Sequence, residues 1–132
     1  WILANWQIPA LIAKNLLALS SNKYILLLLV NIVILIAGVF METASALILL
    51  TPVFLPLMNQ LGINLIHFGI IMVLGLAIGM ITPPVAINLY VASTISGLSI
   101  EKISKAIVPF LLGLIFVLFL ITYIPLYFKV IL

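Results

Sequence analysis

The sequence predicts an all-α integral membrane protein, built around a re-entrant helical hairpin and a broken transmembrane helix. Three observations predict it. The 132 residues are 67% hydrophobic and 5% charged, with a mean hydropathy of +1.57, more apolar surface than a soluble domain of this size can hide. The apolar runs are continuous rather than alternating, and several approach or exceed the ~20 residues of a membrane helix. Two of the longest runs are interrupted near their middles, one by Glu42 and one by Thr82-Pro83-Pro84. A net charge of +3 is too sparse for a nucleic-acid surface, and the absence of cysteine excludes disulfides and thiolate metal sites.

Residues 1–23 read as an interfacial arm helix. Trp1 and Trp6 suit a membrane–water boundary. Leu11, Ile12, Leu16 and Leu19 follow helical spacing, and Gln7, Lys14 and Ser21 share the wet face. Ser20-Ser21-Asn22-Lys23 is a surface turn. The chain starts Trp1-Ile2-Leu3-Ala4 without an initiator Met, and two or three crossings make a thin bundle. It is therefore expected to be one piece of a larger membrane protein, its C-terminal end.

Residues 24–58 carry Glu42 at their centre. A charge at bilayer depth costs roughly 2.5–3.5 kcal/mol on insertion scales, so Glu42 should face protein, water or an ion, or be protonated. Each flanking arm is short for a full span, and Pro52 and Pro56 weaken the second. A re-entrant hairpin with its tip at residues 42–46 satisfies this pattern, as do two tilted spans joined by a tight turn. Asn31 reads as a residue that hydrogen-bonds between helices.

Asn59-Gln60-Leu61-Gly62-Ile63-Asn64 is a turn, with Asn64 as N-cap of the next helix. His67, the single histidine, reads as structural. Gly69, Gly75 and Gly79 allow close helix approach. Residues 64–97 form one helix broken at Thr82-Pro83-Pro84, because proline removes an N–H and pushes the preceding residue out of the helical region. Unwound backbone at bilayer depth is tolerated where it is buried in protein or lines a cavity. The break is thus either a binding site or a packing kink. Residues 98–106 hold Glu101, Lys102 and Lys105 and read as a short interfacial helix. Residues 107–132 form a plain span, anchored by Tyr123, Tyr127 and Lys129. The lysines divide three against two between the two sides, which leaves orientation open.

The two interruptions share a physical logic. A half-helix that ends inside the membrane presents carbonyls suited to Na⁺, and one that starts there presents N–H groups suited to a carboxylate. Met41 and Met80 lie near the ends of first halves; Ala44 and Val85 lie near the starts of second halves. Thr43, Ser45, Thr82 and Asn88 add oxygens of the kind hard cations take. The candidate Na⁺ residues are Glu42, Thr43, Gly79, Met80 and Thr82. The candidate substrate residues are Ala44, Ser45, Pro84, Val85 and Asn88. A hairpin followed by a broken helix is the arrangement of one repeat of an inverted-repeat transporter.

Four motifs in order carry a more specific resemblance: Gly38-Val39-Phe40-Met41-Glu42-Thr43-Ala44, Leu50-Thr51-Pro52-Val53-Phe54-Leu55-Pro56-Leu57, the stretch 62–73 around His67, and Gly79-Met80-Ile81-Thr82-Pro83-Pro84-Val85. Over about residues 31–92 they resemble the large membrane subunit of TRAP (tripartite ATP-independent periplasmic) transporters. The resemblance implies an elevator-type secondary transporter, with this chain as the second inverted repeat. Residues 24–97 would belong to the moving transport domain, and residues 1–23 and 107–132 to arm and scaffold. It implies Na⁺ coupling and an organic acid substrate of the C4-dicarboxylate or sialic acid type. It also implies four surroundings: the N-terminal remainder of the subunit, a small membrane subunit, a periplasmic substrate-binding protein and the lipid bilayer of the bacterial inner membrane. The hairpin would open to the periplasmic side. The family often has Asp at the position of Glu42 and Gly at that of Ala86.

Two other readings remain at this level: a carboxylate symporter of the same superfamily that needs no binding protein, and a non-transporting membrane scaffold subunit. One glutamate and one histidine in separate segments make no recognisable catalytic constellation, so an enzyme is not expected.

Overall fold

The computed structural model describes residues 22–83 and 85–128, together with Lys14, Asn15 and Ala18. Most of the expected arm helix, Pro84 and Lys129 lie outside the described residues. Among the described residues from 22 onward, five helices follow in order: α1 (Lys23–Phe40), α2 (Thr43–Gln60), α3 (Leu65–Met80), α4 (Ile87–Ser96) and α5 (Ile100–Phe128). Among the described residues, α1, α2 and α5 are long and apolar enough to cross a membrane, and α3 is a shorter apolar helix.

Local chemistry sets the helix starts. The Asn22 side chain accepts from the Tyr24 N–H at 2.9 Å and opens α1. Asn64 accepts from the N–H groups of Ile66 and His67 and opens α3, the cap its sequence position predicts. Glu42 does the same for α2. The hairpin tip is consequently tighter than 42–46: Met41 and Glu42 alone separate α1 from α2. Pro52 and Pro56 lie inside α2 without ending it.

Helix α3 is the centre of the packing and touches α1, α2 and α5. Its buried Ile71, Met72 and Leu76 meet Leu26, Leu27, Val30 and Ile34 of α1, Phe54, Leu57 and Met58 of α2, and Leu118 of α5 in one core. Phe54 and Phe68 sit edge to face, 6.2 Å between centroids. Helices α1 and α3 run parallel: Ile34 packs on Gly75, and four residues further along both helices Gly38 packs on Gly79. A Cβ on Gly38 would come within 2.6 Å of the Leu76 carbonyl oxygen, and one on Gly79 within 2.5 Å of the Gly38 backbone. Gly69, by contrast, faces open space.

Polar side chains tie α5 to this body. Asn31 is buried and donates to Leu27 O at 3.0 Å and to Thr122 Oγ1 at 3.2 Å, the interhelical role expected of it. The Thr122 hydroxyl in turn donates to Leu118 O at 2.8 Å. His67, also buried, places Nε2 2.7 Å from Ile121 O. The Tyr123 hydroxyl donates to Tyr24 O at 3.1 Å.

Residues 98–106 do not form a separate helix. α5 begins at Ile100 and runs unbroken through Pro109 to Phe128. One proline removes one hydrogen bond, and membrane helices absorb that loss. Only Leu118, Thr122 and Leu126 of α5 are buried, as is only Leu89 of α4. The apolar outer faces of both helices suit lipid or further protein.

Candidate functional site

The parallel run of α1 and α3 brings their C-terminal ends to the same end of the molecule. The hairpin tip and the break in the third run, 37 residues apart at Thr43 and Met80, therefore meet. The Thr43 hydroxyl donates to Met80 Sδ at 2.7 Å. Beside it, the Gly38–Gly79 crossing lets the two backbones touch. Sequence reasoning omitted Gly38 from the site. Its signal is a glycine about one turn ahead of each interruption, Gly38 before Glu42 and Gly79 before Thr82.

At the tip, Glu42 turns its carboxylate onto its own helix end. Oε1 accepts from the Ala44 N–H at 2.9 Å. Oε2 accepts from the Ser45 N–H at 3.0 Å and from the Ser45 hydroxyl at 3.3 Å. These three donors occupy three acceptor positions of the carboxylate. They also mean that the amides of Ala44 and Ser45, expected to face a substrate carboxylate, already hold one. A carboxylate offers about four acceptor positions, so Oε1 keeps one uncommitted.

At the break, the Thr82 N–H donates to Gly79 O at 2.9 Å, and the Thr82 hydroxyl donates to Ile78 O at 2.7 Å. This tightened turn ends α3. Thr43 and Thr82 both give away their hydroxyl protons, so their oxygen lone pairs point elsewhere and suit a hard cation. Gly79 is buried, and Thr43, Met80 and Thr82 are half-buried. Among the described residues no group of three or more His, Cys, Asp or Glu gathers to hold a metal. The oxygen donors on offer here are hydroxyls and carbonyls, with the Glu42 carboxylate as the charged group at the tip.

Beyond the break, Ala86 adopts φ 31°, ψ 59°, the left-handed region, and is the one described non-glycine residue there. It turns the chain into α4, which starts without a side-chain cap. Val85 is half-buried and Asn88 is exposed in the first turn of α4. Among the described residues, no hydrogen bond joins the Asn88 side chain to the tip, and the aliphatic Val85 side chain can form none. Outside the break, α4 and α5 leave a groove of about 470 Å³ lined by Pro83, Tyr90, Glu101, Ser104, Lys105 and Val108.

Residues 1–127 match the family model for the tripartite ATP-independent periplasmic transporter, DctM component. The chain is 44% identical, over 94% of its length, to the C4-dicarboxylate TRAP transporter large permease protein DctM of Pseudomonas aeruginosa. It is 44% identical over 90% to the isethionate TRAP transporter permease protein DctMQ of Oleidesulfovibrio alaskensis. It is 37% identical over 95% to the sialic acid TRAP transporter large permease protein SiaM of Vibrio cholerae. It spans 29%, 19% and 29% of those proteins respectively. A chain with three helices, among its described residues, long and apolar enough to cross a membrane, and matched along nearly all of its length, belongs to the large permease (DctM) family of TRAP transporters.

Proposed function

We propose that this chain carries half of a sodium and carboxylate site in a Na⁺-coupled transporter that imports an organic acid across the bacterial inner membrane. The observation that carries the reading is the meeting of the two helix interruptions, with Thr43 donating to Met80 at 2.7 Å. Two helix C-termini that meet at one end of an apolar bundle concentrate carbonyl dipoles where a small cation is stabilised. Glu42, Thr43 and Thr82, with the carbonyls of Gly79 and Met80, are the cation side. The uncapped start of α4, with Val85 and Asn88, is the side for the substrate carboxylate. Ala44 and Ser45 serve there only when the Glu42 carboxylate lets go of their amides.

In this reading the chain is the C-terminal repeat of a longer large subunit whose other repeat completes the site. The hairpin is re-entrant and moves as part of an elevator-type transport domain. A periplasmic binding protein delivers the acid, and a small membrane subunit braces the scaffold. The hydrogen bonds from Asn31 and His67 to α5 support a refinement: α5 moves with the hairpin instead of standing in the scaffold. The names of the relatives suggest the acids to try, namely a C4-dicarboxylate, a sialic acid and isethionate.

The test is uptake into proteoliposomes that hold the complete permease, with the binding protein outside, under an inward Na⁺ or K⁺ gradient. Wild type should take up one of the three acids under Na⁺ alone. Glu42→Gln keeps an acceptor for the α2 amides but loses the charge, and should lose most Na⁺-driven uptake while assembling normally. Uptake indifferent to Na⁺ overturns the coupling, and full uptake by the variant overturns the site.

A further inference from the structure

We propose that His67 is a positioning residue for the break in α3, acting through a carbonyl that Pro125 leaves bare on α5. Pro125 lies inside α5 and has no N–H, so the carbonyl of Ile121, four residues upstream, lacks its helical donor. His67 Nε2 lies 2.7 Å from that oxygen. A carbonyl only accepts, so the imidazole donates its Nε2–H. Of the four prolines inside the described helices, Pro52, Pro56, Pro109 and Pro125, only Pro125 has its vacated carbonyl taken by a side chain of another described helix.

The pairing does two things at once. It satisfies a half-buried acceptor, and it fixes α3 to α5 near the start of α3. The other end of α3 is fixed by the Gly38–Gly79 crossing, immediately before Met80 and Thr82. Helix α3 is thus held at both ends, and the height and rotation of the break are set from His67 as well as from the tip. The sequence holds both halves of the signal: a histidine in the first turn of one helix and a proline near the end of another, with one buried face between them.

The claim rests on the reading that the break is part of the transport site, and its test separates the two. In the complete permease, the variants His67→Ala, His67→Gln, Pro125→Ala and His67→Ala with Pro125→Ala are compared by thermal unfolding and by uptake of the three acids named above. Pro125→Ala returns an N–H to Ile121 O within α5 but cannot bridge two helices. His67→Ala should lower the unfolding temperature and cut uptake by about tenfold or more, as small misplacements of binding groups do. His67→Gln, which places an N–H near the same point, should retain both. The double variant should regain the unfolding temperature yet take up substrate about tenfold more slowly than Pro125→Ala alone.

That last comparison holds even where His67→Ala fails to assemble. Uptake in the double variant equal to that of Pro125→Ala would reduce His67 to a simple carbonyl partner and overturn the positioning role. An unfolding temperature that Pro125→Ala does not restore, or wild-type behaviour of His67→Ala, would overturn the link itself. No uptake of any acid by wild type would count against the transport reading, while the unfolding arm still decides the His67–Ile121 link.

Discussion

Both carboxylate oxygens of Glu42 are engaged by the first turn of α2, and this one side chain defines the hairpin tip. The sequence shows that a charge in the middle of an apolar run needs a partner. It does not show that the partners are amides two and three residues further on, because a cap depends on a backbone turn that composition leaves open. At Ala86 the chain takes φ 31° in a buried position. A left-handed conformation costs an L-residue about 1–2 kcal/mol and costs glycine almost nothing. Ala86→Gly should therefore raise the thermal stability of the complete permease, less than that figure because glycine also gains freedom when unfolded. A fall in unfolding temperature would show that the Ala86 methyl contributes more by packing than its backbone loses by strain.

Helices α1 and α3 are joined by glycines, and the joint is where the hairpin meets the break. A methyl on Gly38 would press on the Leu76 backbone at 2.6 Å, whereas one on Gly69 would meet nothing within 4 Å. Gly38→Ala should cost about 1–3 kcal/mol by overpacking. Gly69→Ala should be neutral or slightly stabilising, since alanine is the better helix former. Thermal unfolding of both variants checks the pair, and equal effects would contradict the crossing. At this scale the sequence was legible wherever the cause is local. Asn64 caps its helix, and Thr82-Pro83 ends α3. It was less legible where the cause is tertiary. Gly75 and Gly79 lie at contacts and Gly69 does not, although spacing treats them alike. The continuity of α5 through Pro109 also escapes a reading that gives the charged stretch 98–106 a helix of its own.

On the scale of the whole molecule, three helices fit to cross a membrane, among the described residues, share one apolar core, with the hairpin tip and the break meeting at one end. Family membership was legible because four motifs occur in order. The candidate site is half legible: the chemistry of Glu42, Thr43, Thr82 and the glycines stands in the sequence, but their meeting depends on α1 and α3 running parallel, which no local pattern dictates. The most direct measurement is the Na⁺ concentration dependence of uptake by the complete permease for wild type and for Thr43→Val and Thr82→Val. Each substitution removes one hydroxyl oxygen at nearly constant volume, one from the tip and one from the break. If the two interruptions hold one ion, both variants should need about tenfold or more Na⁺ for half-maximal uptake, since a lost ligand of this kind costs roughly 1.5–3 kcal/mol. An unchanged Na⁺ requirement in both variants would contradict the account and leave the tip and the break as a packing joint.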